Sequence, residues 1–186
     1  MSQKKDKRLL FFRESSYRLA RLIFNYPNTL FYIRKMAKET GLSTTGVEGA
    51  LQEFQEHHLI TVQSTNLTKN IQADLNSDAF RFYKRIFNLY QLHSLLEAIK
   101  RPFQPKAIVI FGSFAKGEDI EESDVDILII TNRKDEGSLS KIIKITEKEL
   151  NRTIALHILE SLDESEPEFR NAVANGIVVY GYLKVV

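Results

Sequence analysis

The sequence predicts an α+β protein in two parts: a helical N-terminal unit closed by a hairpin, then a domain with flanking helices on a mixed β-sheet. Three observations carry this. Apolar residues recur at helical spacing through the first third of the chain, then give way to two short runs with a turn between them. Beyond residue 105, continuous apolar runs alternate with amphipathic stretches. Between these regions "RPFQPK" (101–106) carries two prolines, which end a helix and start an extended segment. The expected divisions are a unit at 1–76, a long linking helix at 77–104 and a domain at 105–186.

In the first unit, Leu19, Leu22, Ile23 and Tyr26 share a helical face, and "YPNT" stops that helix. "LFYIRKMAKET" reads as a second helix ended by Gly41. "STTGVEGALQEFQEHH" reads as a third, with Ser43 as N-cap and Val47, Leu51 and Phe54 on one face. "LITVQST" and "NIQADL" flank "NLTK" as a two-stranded hairpin. Three helices followed by a hairpin is the layout of a winged helix-turn-helix. "SDAFRFYKRIFNLYQLHSLLEAIK" follows as one long helix capped by Ser77, with Phe82, Ile86, Leu89, His93 and Leu96 along one stripe.

In the second part, "KAIVIF" and "VDILIIT" are buried strands, "SLSKIIKITEKEL" an amphipathic helix and "TIALHIL" a third strand. "SEPEFRNAVANG" reads as a helix with a capping box, Ser165 with Glu168, ending at Asn175-Gly176. "IVVYGY" is a final short strand.

Composition narrows the setting. Of 186 residues, 43% are apolar and 27% charged, ordinary for a soluble globular protein. No apolar run approaches the roughly 18 residues of a membrane span. The start, "MSQKKDKRLLFFRESS", is basic but lacks a signal peptide's apolar core. With no cysteine, disulfides and thiolate chemistry are excluded, and any metal must sit on oxygen or imidazole. The expected location is cytoplasmic, with no membrane partner. Net charge is +2, but residues 1–100 are net basic and 101–186 net acidic. The basic part suits nucleic acid and the acidic part a cation.

The chemistry is concentrated in "GSFAKGEDIEESDVDILII" (112–130). Asp124 and Asp126 stand two apart on a predicted strand, so their carboxylates share one face. Side by side they repel, and a cation relieves them. Hard oxygen ligands with room for water and phosphate suit magnesium. Upstream, Gly112 lets a ligand approach the backbone, while the helix-start amides and the Ser113 hydroxyl can donate to phosphate. A phosphate cradle beside a carboxylate pair describes a nucleoside triphosphate site.

This pattern resembles the DNA polymerase β-like nucleotidyltransferase superfamily, most closely its minimal nucleotidyltransferase branch. The matching residues are Gly112, Ser113, Ala115, Gly117, Ser123, Asp124 and Asp126, within a likeness spanning about 105–182. The resemblance implies magnesium held by Asp124 and Asp126, a nucleoside triphosphate, ATP foremost, and transfer of a nucleoside monophosphate to an acceptor. Lys116 would add positive charge near the phosphates. The superfamily usually supplies a third carboxylate from a later strand; the matching residue in "TIALHILE" is His157, and Glu160 falls beyond that strand. His157 is then either a proton acceptor or a polar strand residue. Members of the branch are often partners of small helical toxins, which brings in a small helical toxin-like partner and a protein hydroxyl as acceptor, beside RNA and small molecules.

In a winged helix-turn-helix the third helix enters the major groove. Here Ser43, Thr44 and Thr45 at its start can donate to phosphate, but it has no Lys or Arg and carries Glu48, Glu53 and Glu56. Positive charge lies on Arg34, Lys35, Lys38 and Lys69, and on Lys4, Lys5, Lys7 and Arg8, which suits backbone contact with DNA. The aromatics of "FRFYKRIFNLY" read as core or homodimer interface. Two functions are expected from this: a nucleotidyltransferase, or a DNA-binding regulator whose second domain is inactive and senses nucleotide or dimerises.

Overall fold

A computed structural model of the protein describes residues 13–64, 68–133 and 139–184. The chain divides into two compact units between Phe80 and Arg81.

The first unit contains α1 (Glu14–Asn25), β1 (Phe31–Tyr32), α2 (Ile33–Thr40), α3 (Thr44–Glu56), β2 (Ile60–Ser64) and β3 (Lys69–Ala73). Its strands form an antiparallel sheet in the order β1-β3-β2. α2 ends at Gly41 in a left-handed conformation, as expected of a C-terminal glycine. α3 is capped by Ser43, whose hydroxyl accepts from Gly46 N at 3.0 Å. The second helix is shorter than its sequence implies. Phe31 and Tyr32 pair with Ile71 and Asn70 instead of starting it, because a strand there buries Phe31 and satisfies its backbone. Leu19, Ile23, Phe24, Met36, Val47, Phe54, Leu59 and Ile71 make the core, with Phe24 edge-on to Phe80 at 5.2 Å between ring centroids.

The second unit is built on α4 (Asp78–Phe103), β4 (Ala107–Phe111), α5 (Gly112–Lys116), β5 (Val125–Ile130), α6 (Ser140–Leu150), β6 (Ile154–Leu159), α7 (Pro167–Ala174) and β7 (Ile177–Gly181). Ser77 starts α4 by accepting from Phe80 N at 3.2 Å. The sheet order is β6-β5-β4-β7; β4 runs antiparallel to both neighbours and β5 parallel to β6. This explains why β4 and β5 read as continuous apolar runs. They are the central strands, with Ile108 and Ile110 facing one core cluster and Ala107, Val109 and Phe111 the other.

Two expectations fail here. Of the expected α4 stripe Phe82, Ile86, Leu89, His93 and Leu96, only Leu96 is buried: Ile86 and Leu89 are half-buried, Phe82 is 58% exposed and His93 exposed. The stripe runs instead through Phe80, Lys84, Phe87, Asn88, Leu92, Leu95, Ile99 and Phe103, where the two polar members have buried partners. The Ser165 capping box is absent. α7 is entered through Glu166 with Pro167 in its first turn, and no side chain caps it. Proline needs no donor partner there and sets the helical φ, so the start moves past Ser165.

Candidate active site

β4 and β5 bring the two halves of the motif together. Asp126 pairs across the ladder with Phe111, the residue before Gly112. Gly112 has φ +72°, and a Cβ added to it would collide with Oδ2 of Asp126. The glycine is therefore required twice, by its left-handed backbone and by the carboxylate lying across it. Ser113 follows in the first turn of α5, half-buried, and its carbonyl accepts from Glu118 N at 3.0 Å. Lys116 is exposed at the end of α5.

Asp124 is the residue just before β5 and is exposed, while Asp126 is half-buried on the strand. Burial pushes the Asp126 carboxyl above the usual carboxylate range; His157 opposes this, and the negative charge of Asp124 adds to it. The two carboxylates thus strain each other electrostatically. Two hard oxygen donors at an exposed strand start fit a magnesium ion completed by water and phosphate. An all-protein cage is not present: among the described residues no group of three or more His, Cys, Asp or Glu is placed to hold a metal.

His157 lies on β6, next to β5, with Nε2 4.0 Å from Asp126 Oδ1. Its ring packs against Phe111 and Phe169, at 5.5 and 5.2 Å between centroids, and these two phenyl rings contact each other at 5.4 Å. The position matched to a third carboxylate is therefore beside Asp126, held in an aromatic cluster. Glu160 falls outside β6.

Sequence reasoning missed Lys84, Asn88, Asp119 and Arg152, which meet in a buried polar cluster behind the loop that joins α5 to β5. The available signal was Lys84 and Asn88 one helical turn apart among apolar residues.

In the first unit, Arg34, Thr44 and Lys69 line one groove of ≈ 610 Å³, together with Tyr32 and Glu48. Lys69 Nζ sits 3.3 Å from Glu48 Oε1, which offsets its charge. Lys38 and Thr45 are exposed, and the exposed Ser43 is engaged as the α3 cap. The tail residues Lys4, Lys5, Lys7 and Arg8 lie outside the described residues.

Comparison with known proteins gives two matches. Residues 92–180 match the model of the nucleotidyltransferase domain family. Over 49 residues the chain is 37% identical to a protein of Methanocaldococcus jannaschii provisionally named a protein adenylyltransferase. That match takes in 26% of this chain and 49% of the relative, so the chain spans about half the length of the curated relative it matches. The matched span lies within the second unit and supports a transferase of phosphorus-containing groups. No helix among the described residues is long and apolar enough to cross a membrane.

Proposed function

We propose that the protein transfers a nucleoside monophosphate, with ATP as donor, to a hydroxyl of an acceptor protein. The observation that carries this is the carboxylate of Asp126 lying across Gly112, which sets the phosphate-binding turn against the acidic pair. Gly112 and Ser113 would hold the phosphates, and Asp124 and Asp126 would hold magnesium. The ion, when bound, supplies neutralisation of the triphosphate and of the departing pyrophosphate. The acceptor oxygen bonds to the α-phosphorus as the bond from that phosphorus to the bridging oxygen of the β-phosphate breaks. Pyrophosphate leaves with that oxygen. The acceptor proton passes to His157, the side chain next to Asp126, or to water. Lys116 would add positive charge at the phosphate side. ATP and a protein acceptor are supported by the likeness to the relative named a protein adenylyltransferase. A small helical toxin-like protein is the acceptor class to test first.

The test is titration calorimetry of ATP with and without magnesium, on the native protein and on Asp124→Ala, Asp126→Ala. Magnesium-dependent binding that disappears in the double variant is expected. Absence of binding for ATP, GTP, CTP and UTP alike would refute the enzyme reading.

The N-terminal unit fits a winged helix-turn-helix, supported by the order helix, strand, helix, helix, hairpin and by the β1-β3-β2 sheet. One observation favours a second reading, a DNA-binding regulator: Arg34, Thr44 and Lys69 share one groove of that unit. Under it, DNA affinity falls steeply with salt and is unaffected by Asp124→Ala. DNA binding abolished by Asp124→Ala, or absent at low salt, would exclude it.

A further inference from the structure

Behind the active-site loop lies a charged cluster with no part in the transfer itself. Lys84 and Asn88 on α4, Asp119 in the α5–β5 loop and Arg152 in the α6–β6 turn are all buried, at 1%, 1%, 1% and 7% exposure. Asn88 Nδ2 donates to Asp119 Oδ1 at 2.8 Å and to the Phe114 carbonyl at 2.9 Å. Arg152 Nη2 is 2.9 Å from Asp119 Oδ2, and Nη1 donates to the Ser123 carbonyl at 3.1 Å and also to the Ile120 carbonyl. Lys84 Nζ is 3.3 Å from Asp119 Oδ2 and donates to the backbone carbonyl of Asp119. The loop also rests on the start of this part of α4: a Cβ at Gly117 would come within 2.6 Å of the Arg81 carbonyl.

The points gripped are informative. Phe114 adjoins Ser113, and Ser123 adjoins Asp124. The cluster therefore holds the loop at the inner edge of each half of the motif. Burying two cations and a carboxylate is a costly way to stabilise a core, and an apolar plug would do as well. What the polar groups add is direction, since their donors fix the Phe114, Asp119, Ile120 and Ser123 carbonyls. Lys84 and Asn88 precede the residues matched by the family model, 92–180, so α4 contributes to the site from outside that span.

We infer that Asn88, Asp119 and Arg152, with Lys84, are positioning residues of the nucleotide site. They set where Ser113 and Asp124 stand on either side of the Phe111–Asp126 pair that the β4–β5 ladder already fixes, and this inference rests on the nucleotide reading above. Such supporting contacts cost about 10–100-fold in affinity or activity when removed.

The experiment measures magnesium-ATP affinity by calorimetry well below the unfolding transition, on the whole protein. Asn88→Leu removes the bonds to Phe114 and Asp119 at nearly constant volume. Arg152→Lys keeps the charge beside Asp119 but loses Nη1, which reaches the Ser123 and Ile120 carbonyls while Nη2 faces Asp119. Phe103→Leu is the control, a buried core change by the other end of β5, where the Phe103 carbonyl accepts from Thr131 Oγ1 at 2.6 Å. Asn88→Leu and Arg152→Lys are expected to weaken binding by about tenfold or more. Phe103→Leu, even with an equal loss of Tm, should stay within about twofold, as distant sites act independently. If Asn88→Leu does not fold, Arg152→Lys decides. Native-like affinity in the folded loop variants, or an equal loss in the control, overturns the positioning role. If the native protein binds no magnesium-ATP, the nucleotide reading fails first and this inference with it.

Discussion

Replacing Gly112 by alanine tests the joint between the two halves of the motif. The backbone there has φ +72°, and the new Cβ would occupy the space of Asp126 Oδ2. Two costs follow. Left-handed backbone costs an L-residue roughly 1–2 kcal/mol. For a domain of about a hundred residues that alone lowers Tm by on the order of 5–10 °C. The collision is separate and forces the Asp126 carboxylate to rotate away. A double-mutant cycle divides the two. In an Asp126→Ala background the collision vanishes and only the backbone strain remains. Thermal unfolding of the four proteins should give a coupling of about 0.5–3 kcal/mol, the range for residues in contact. Calorimetry should show that Gly112→Ala also loses magnesium-dependent ATP binding. Additive costs within about 0.5 kcal/mol would refute the contact. Intact ATP binding in Gly112→Ala would refute its role in the site.

Asp126→Asn should be more stable than the native protein at neutral pH. The native carboxyl titrates higher folded than unfolded, chiefly through burial, so ionisation penalises the folded state once pH rises above the ordinary Asp value of about 3.9. Below that value both states are protonated and the gain disappears, which Tm measured across the acid range will show. Added magnesium should raise the Tm of the native protein and not of Asp126→Asn. Asp119→Ala should cost about 3–5 kcal/mol, because Lys84 and Arg152 are left buried without their anion. Lys84→Met should cost far less, since burial already disfavours the lysine's charged form and lowers its pKa; denaturant unfolding that ranks the two in reverse would contradict the cluster's charge balance. Ser43→Ala should lower stability by about 1 kcal/mol through loss of the α3 cap, measurable in the same unfolding curves.

The sheet was legible because central strands demand apolar residues on both faces, and "AIVIF" and "VDILII" have almost nothing else. That Gly112 and Asp126 meet was legible because few sequences place a turn glycine and an acidic pair at the ends of two such strands. The burial of α4 was not. Its apolar residues lie nearly all round the helix, so period alone selects no face, and Phe82 is as apolar as Phe80. The true face passes through Lys84 and Asn88, which reads as an error until Asp119, 31 residues beyond Asn88, is in place. β1 was hidden for a similar reason. Phe31 and Tyr32 extend a helical pattern, and only Ile71 and Asn70 of a distant strand make them a strand.

What local periodicity hides, then, is long-range pairing, and in the second unit that pairing surrounds the loop between Ser113 and Asp124. The acidic stretch "EDIEESD" looks like a solvated turn, and most of it is exposed. Asp119 alone is turned inward, toward two cations and an amide. The Phe111–Asp126 ladder pair already joins the two strands, but a solvated loop would leave Ser113 and Asp124 on either side of it to fluctuate. Anchoring it at Phe114, Asp119 and Ser123 makes the placing of those two residues a property of the core, so that under the proposed function part of the cost of ordering the site is met on folding rather than on binding.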